Sequence, residues 1–297
     1  MARYRSNNLF QIILELSKVR ITIAVALTTI TGYVMARNGY DTGFLLPTLG
    51  IFFLACGSSV INHLQEKRTD ALMNRTRLRP LPAKKISPGL AIIIATFEII
   101  AGSVLLLSSS GILALGLGWL ALIWYNLVYA YLKKKTPHAV IPGSVIGAIP
   151  PLVGWVAARG ELWNRQPMIM AIFFFVWQVP HFYLLAVRYG DEYKKAGLPS
   201  ITAQYSLKQI KNLVFIWIIF MALAASGFAL SRPYSTWISS VIIWIISVGL
   251  VYFFSSLLFR NQSTFEAGKY FMLINYYVLA VVLVLVTDPI LQKMLGN

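Results

Sequence analysis

A single cysteine, Cys56, stands in 297 residues, so no intrachain disulfide can form. Charge is scarce as well: 12% of the residues are charged, and only 10 are acidic against 26 basic. Apolar residues fill the space, making up 58% of the chain with a mean hydropathy of +0.69. One soluble core cannot enclose that much apolar surface, so the composition predicts a polytopic membrane protein. No polar stretch is left over for a soluble domain, and residues 1–297 read as one integral-membrane domain. The first apolar run starts too late and runs too long for a cleaved signal peptide, and is expected to be retained as a span.

Runs long enough to cross a bilayer fall near 16–36, 44–64, 88–108, 111–131, 139–158, 167–187, 212–230, 235–258 and 270–290, about nine transmembrane helices. Of the 26 Lys and Arg, 21 fall on one side of these spans, among them Arg3, Arg5, Lys18, Arg20 and Arg260. The other side holds Arg37, Arg159, Arg165, Arg232 and Lys293. The positive-inside rule then puts the amino terminus in the cytoplasm and the carboxyl terminus outside. The net charge of +16 follows from this sidedness and from contact with anionic membrane lipids, and no nucleic-acid partner is expected.

The first strongly charged segment after two apolar runs reads NHLQEKRTDALMNRTRLRPLP, from Asn62 to Pro82. Asn62, Glu66 and Asp70 lie four apart, which on a helix drifts by only about 40° per step and keeps their oxygens on one face. An amide and two carboxylates so placed suit a hard divalent cation, and Arg75, Arg77 and Arg79 downstream suit phosphate oxygens. A second polar loop, RYGDEYKKAGLPS, sets Arg188, Asp191, Glu192 and Lys195 at helical spacing. Both loops are expected on the same side, where they can close around one diphosphate with its metals. The plainer reading of either loop alone is a solvated juxtamembrane helix laced with salt bridges.

The Asn-x3-Glu-x3-Asp ladder followed by RT-x2-RPLP resembles the first signature of the UbiA superfamily of intramembrane prenyltransferases. KKKTPHAV, GAIPPLVGW from Gly147 to Trp155, WQVPHF from Trp177 to Phe182 and DEYKKAGLP from Asp191 to Pro199 are similar to signature blocks of its protoheme IX farnesyltransferase branch. The likeness spans most of the chain. Glu66 stands where that family usually has Asp, Arg68 where a further acid is common, His63 and Ala139 where Asn is frequent, and Ser200 where Met is expected. The extra methylene of Glu66 moves its carboxylate outward, and Arg68 lowers the local negative charge.

The resemblance implies an all-α UbiA-type bundle that transfers a farnesyl group from farnesyl diphosphate to a vinyl of heme B, with water addition, giving heme O. It implies Mg2+ as cofactor, heme B as substrate, a bacterial inner membrane, and heme A synthase or a terminal oxidase as candidate assembly partners. By the same likeness Asn62, Glu66 and Asp70 hold one metal, and Asp191 with Glu192 a second. Arg75, Arg79, Lys133, Arg188 and Lys195 take the phosphates, joined by Tyr129 one turn before Lys133. Trp177, Gln178 and His181 are candidate heme contacts, with a histidine hydrogen-bonded between helices as the even alternative. His63 and His138 suit capping or phosphate contact.

Glu98, inside a span, is expected to face the bundle interior with a partner or to be protonated. Pro150 and Pro151 with Gly147 and Gly154 are expected to break or kink the fifth span and open room for a macrocycle or prenyl tail, or else to allow close packing. Rival functions are a UbiA-type enzyme prenylating a quinone precursor, a transporter, and a non-catalytic binder of heme or prenyl lipid. A transporter would cluster its charges at the bilayer midplane.

Overall fold

The computed structural model describes residues 8–230, 236–259 and 265–295, and all regular structure among them is helical. Arg3, Arg5, Arg232 and Arg260, counted above for sidedness, lie outside the described residues. In chain order the helices are α1 (Leu9–Leu16), α2 (Val19–Arg37), α3 (Leu45–Leu72), α4 (Pro88–Ile123), α5 (Ala130–Leu132), α6 (Val140–Gly143), α7 (Val145–Ala157), α8 (Arg165–Arg188), α9 (Gly190–Lys195), α10 (Ile201–Gln204), α11 (Leu207–Ala229), α12 (Trp237–Phe259) and α13 (Ala267–Met294). A π-helical turn, Trp124–Tyr129, joins α4 to α5.

Eight helical segments among the described residues are long and apolar enough to cross a membrane. One of them, Pro88–Leu132, contains Gly111 at φ 79° and ψ −175°, a backbone state that only glycine adopts readily. The chain folds back there. Trp119 Nε1 in the second leg donates to Ser103 Oγ in the first at 3.1 Å. Two legs in place of one helix bring the helices able to cross to nine among the described residues, matching the apolar runs of the sequence.

Inside a bilayer there is no hydrophobic drive between helices, so close approach depends on small residues. The backbone of α2 at Gly32 lies against the Pro151 carbonyl of α7, and Gly154 of α7 lies against the Thr29 carbonyl. A Cβ at Gly102 would sit 2.6 Å from the Gly50 carbonyl, so α3 and the first leg of α4 touch in the same way. Pro150 and Pro151 do not interrupt α7, and the break in this region falls earlier, at Ser144. The expected break at the prolines is corrected: the glycines beside them serve close packing. A larger apolar cluster, including Phe173, Phe174, Tyr183, Ile218, Phe254 and Tyr270, binds α8 to α11, α12 and α13. Side chains such as Phe97 and Ile245 point outward, as lipid contact demands.

Polar groups gather at the two ends of the bundle. The end that holds the α2–α3, α7–α8 and α11–α12 connections is tied by Asp288. Its Oδ1 accepts from Thr236 N at 3.0 Å and Thr236 Oγ1 at 2.8 Å, and its Oδ2 accepts from Gln292 Nε2 at 2.8 Å. Gln292 Oε1 in turn accepts from Asn38 Nδ2 at 2.8 Å. The other end carries the ladder.

Candidate active site

The last turns of α3 carry the ladder. Asn62 and Asp70 are buried and Glu66 is partly so. Between α1 and α2 the chain turns at Lys18, whose φ of 47° is unusual for a residue with a side chain. That turn sends Lys18 Nζ onto the ladder, where it donates to Asn62 Oδ1 at 2.7 Å and to Tyr125 OH at 3.4 Å. Asn62 Nδ2 donates to Glu66 Oε1, and Lys133 Nζ pairs with that same oxygen. Arg79 Nη1 reaches Asp70 Oδ2 at 2.8 Å, and Thr76 Oγ1 donates to the Asp70 carbonyl at 2.9 Å, which folds the arginine-rich loop back under the helix.

Cations therefore converge on one helix face from three other segments: Lys18, Lys133 and Arg79. Burial pushes the Lys18 ammonium down to about 7, with the Arg79 charge adding to the shift. Lys133 is likewise pushed down to about 7, first by burial and then by Lys18. Two desolvated ammonium groups so close repel each other, and an anion placed between them relieves that cost. The π-helical turn stacks Tyr125 on Tyr129 with ring centroids 5.8 Å apart. Lys18 lies 5.9 Å from the Tyr125 centroid and Lys133 5.7 Å from that of Tyr129.

The second loop meets the first. Backbone N–H of Arg75 donates to Glu192 Oε2 at 3.0 Å, and the guanidinium groups of Arg75 and Arg188 lie 4.5 and 5.4 Å from the Tyr189 ring centroid. The single helical face expected from Arg188 to Lys195 is not formed, because α8 stops at Arg188 and α9 begins afresh at Gly190. Asp191 and Lys195 are exposed, and among the described residues neither bonds to the ladder. Arg77 is exposed too.

Among the described residues no three His, Cys, Asp or Glu side chains come together as a metal cluster. The ladder still fits a hard cation through its mixed donors. Asp70 Oδ1 is buried without a hydrogen-bond partner, one turn along α3 from the carboxylate of Glu66 and two from the amide of Asn62. An oxygen so placed needs a cation or water.

Deeper in the bundle, Trp177 and His181 of α8 meet edge to face with centroids 5.2 Å apart. His181 Nδ1 lies 3.0 Å from Asn275 Oδ1 and its ring 4.6 Å from that of Phe271, both on α13. Trp177 Nε1 and Gln178 Oε1 are buried with no partner, and Gln178 packs against Gly147. His138, by contrast, is held between Tyr183 OH at 3.1 Å and Tyr205 OH at 3.0 Å and pins the loops. His63 is buried with neither ring nitrogen bonded, so it caps nothing. Glu98 faces inward and accepts from Ser17 Oγ at 2.6 Å.

Residues 25–279 match the UbiA prenyltransferase family. The chain belongs to that family. It is 32% identical over 281 residues to protoheme IX farnesyltransferase 1 of Pseudomonas fluorescens, covering 93% of this chain and 92% of that protein. Among solved structures, a digeranylgeranylglyceryl phosphate synthase aligns with a TM-score of 0.77 at 22% identity, over 95% of this chain and 98% of the other. A UbiA homologue from Archaeoglobus fulgidus bound to GPP and Mg2+ aligns with a TM-score of 0.64 at 14% identity, over 93% and 99% of the two chains. At those identities the structural likeness speaks to the fold alone.

This UbiA-family chain is an integral membrane protein. Three of its site residues escape sequence reading: Lys18, Tyr125 and Asn275. Tyr125 was within reach, since it continues the step of four from Lys133 through Tyr129. Asn275 is an amide inside an apolar span, a placement that signals a buried polar partner. Nothing local distinguishes Lys18 from the other basic residues flanking the first span.

Proposed function

We propose that this protein transfers a farnesyl group from farnesyl diphosphate to a vinyl group of heme B and adds water, giving heme O, which a heme A synthase or terminal oxidase then takes up. The observation that carries the reading is the convergence of Lys18, Lys133 and Arg79 on the Asn62–Glu66–Asp70 face, where Asp70 Oδ1 is left without a partner. The length-spanning likeness to a protoheme IX farnesyltransferase supports heme as the acceptor.

Asn62, Glu66 and Asp70 hold magnesium, which supplies positive charge to the leaving diphosphate. Lys18, Lys133, Arg79 and Arg75 hold the phosphate oxygens and neutralise the charge that grows as the allylic C–O bond breaks and the pair of electrons leaves with oxygen. The stacked faces of Tyr125 and Tyr129, with Phe182 at 6.2 Å from Tyr129, flank the farnesyl cation and stabilise it by cation–π attraction. The heme vinyl carbon forms the new C–C bond, water adds to the resulting cation, and a proton departs. No side-chain nucleophile is needed.

Trp177, Gln178 and His181 line the acceptor's place, where the unbonded Trp177 Nε1 and Gln178 Oε1 offer it polar contacts. Glu192 orders the arginine loop through the Arg75 backbone, while Asp191, Arg188 and Lys195 serve at the rim, Asp191 as a ligand for a second metal. The rim faces the cytoplasm, supported by the 21 of 26 basic residues on that side. Membranes holding the protein, supplied with heme B, farnesyl diphosphate and magnesium, should yield farnesylated heme by mass spectrometry. Prenylation of a quinone precursor with heme left unchanged would refute the acceptor assignment.

A further inference from the structure

A cleft of about 560 Å³ opens beside the ladder and is not used by the chemistry above. Its walls include Gln65, Lys67, Arg68 and Thr69 of α3, Lys134 after α5, and Leu198 beyond α9. Three of these are cations, none of the cleft's lining residues is an acid, and among the described residues none of the three has a carboxylate within ion-pair distance. The cleft is therefore a place of net positive charge left open to an anion. Its position is tied to the site through chain neighbours: Gln65 precedes Glu66, Thr69 precedes Asp70, and Lys134 follows Lys133. Gln65 Nε2 is fixed by the Asn126 carbonyl at 2.9 Å, on the same π-helical turn that stacks the two tyrosines.

We propose that Lys67, Arg68 and Lys134 bind the two propionate carboxylates of the porphyrin acceptor, which rests on the reading of heme as substrate. Protoheme is amphiphilic: its vinyl groups lie on one edge and its propionates on another. A vinyl must enter the apolar bundle to meet the allylic carbon, whereas two carboxylates cannot be buried there without cations. A basic cleft lined by chain neighbours of the diphosphate grip meets both needs at once. It holds the charged edge at the rim and sets which edge of the ring turns inward. Arg68, at a position where an acid would repel carboxylates, acts here as an acceptor-binding residue.

The test is a binding cycle on purified protein in lipid nanodiscs, read by the heme absorption band in the absence of farnesyl diphosphate. Heme B and its dimethyl ester, in which both carboxylates are capped, are each titrated into wild type and into the Lys67→Ala, Arg68→Ala, Lys134→Ala triple variant. The expected result is about tenfold weaker heme B binding in the variant, the sum of three ion pairs at a solvent-facing rim, with the ester bound equally by both proteins. Arg68→Lys alone should keep most of the affinity and guards against a folding defect. An equal loss for heme B and its ester, or no loss for either, overturns the proposal. So does a variant that loses only its stabilisation by anionic phospholipid, which would make the cleft a lipid site. Failure of wild type to farnesylate heme is read in a separate assay and bears on the proposed function, since the cycle measures binding alone.

Discussion

The two ends of the bundle treat their carboxylates in opposite ways. At the end away from the ladder, both oxygens of Asp288 and of Asp41 have donors; Asp41 accepts from Tyr33 OH at 2.7 Å, Gly43 N at 2.7 Å and Arg37 Nε at 2.8 Å. At the ladder end, Asp70 keeps one buried oxygen bare, and Lys18 and Lys133 meet the same helix face with their charges desolvated. A satisfied network holds loops in place. A carboxylate oxygen left bare holds capacity for a ligand, and of Asp41, Asp288 and Asp70 only Asp70 has one.

Substitution of the two buried aspartates should break this comparison most sharply. Asp70→Asn is expected to lower turnover by roughly 10²- to 10³-fold while heme binding persists, and chelation of wild type should do the same. Asp288→Asn is expected to cost about 1–3 kcal/mol of stability in a denaturation series, with turnover per folded molecule unchanged. Comparable turnover loss in both would erase the distinction between the ends.

Lys18→Met comes next in size. Because Lys18 touches the ladder but no heme-side residue, kcat/KM for farnesyl diphosphate should fall by about 10- to 100-fold with heme affinity unaltered. Steady-state kinetics with each substrate varied in turn decides it. Gly32→Ala should then cost about 1–3 kcal/mol, since the new methyl meets the Pro151 carbonyl and must part α2 from α7; thermal unfolding would register the loss. The smallest effect belongs to Arg37→Ala, whose partner Asp41 keeps two other donors; no measurable change in either Tm or turnover is expected.

Much of the fold was legible because apolar run length and the step of four are local properties. The nine crossings follow from the runs, with Gly111 splitting one long helix as the gap near residue 110 suggested. The ladder's shared face follows from helical geometry. Which distant groups abut that face is a long-range fact: Lys18 lies 44 positions from Asn62, and Lys133 67 from Glu66. The second loop misled for a related reason. Its i, i+3, i+4, i+7 spacing presumes one helix, but the chain leaves helical geometry at Tyr189, so Arg188 and Asp191 part company. At Pro150 and Pro151 the sequence left a break and close packing equally open, and α7 runs unbroken through both prolines with its glycines packed closely.

The most direct test of the ladder as the reacting centre is to count bound metal. Purified wild type, Asp70→Asn and Asp288→Asn would be titrated with Mn2+ in the presence of an unreactive farnesyl diphosphate analogue, with free ion read by electron paramagnetic resonance. Saturable binding in wild type and Asp288→Asn, with loss in Asp70→Asn, is the predicted result. Wild-type binding by Asp70→Asn would contradict the placement of the site.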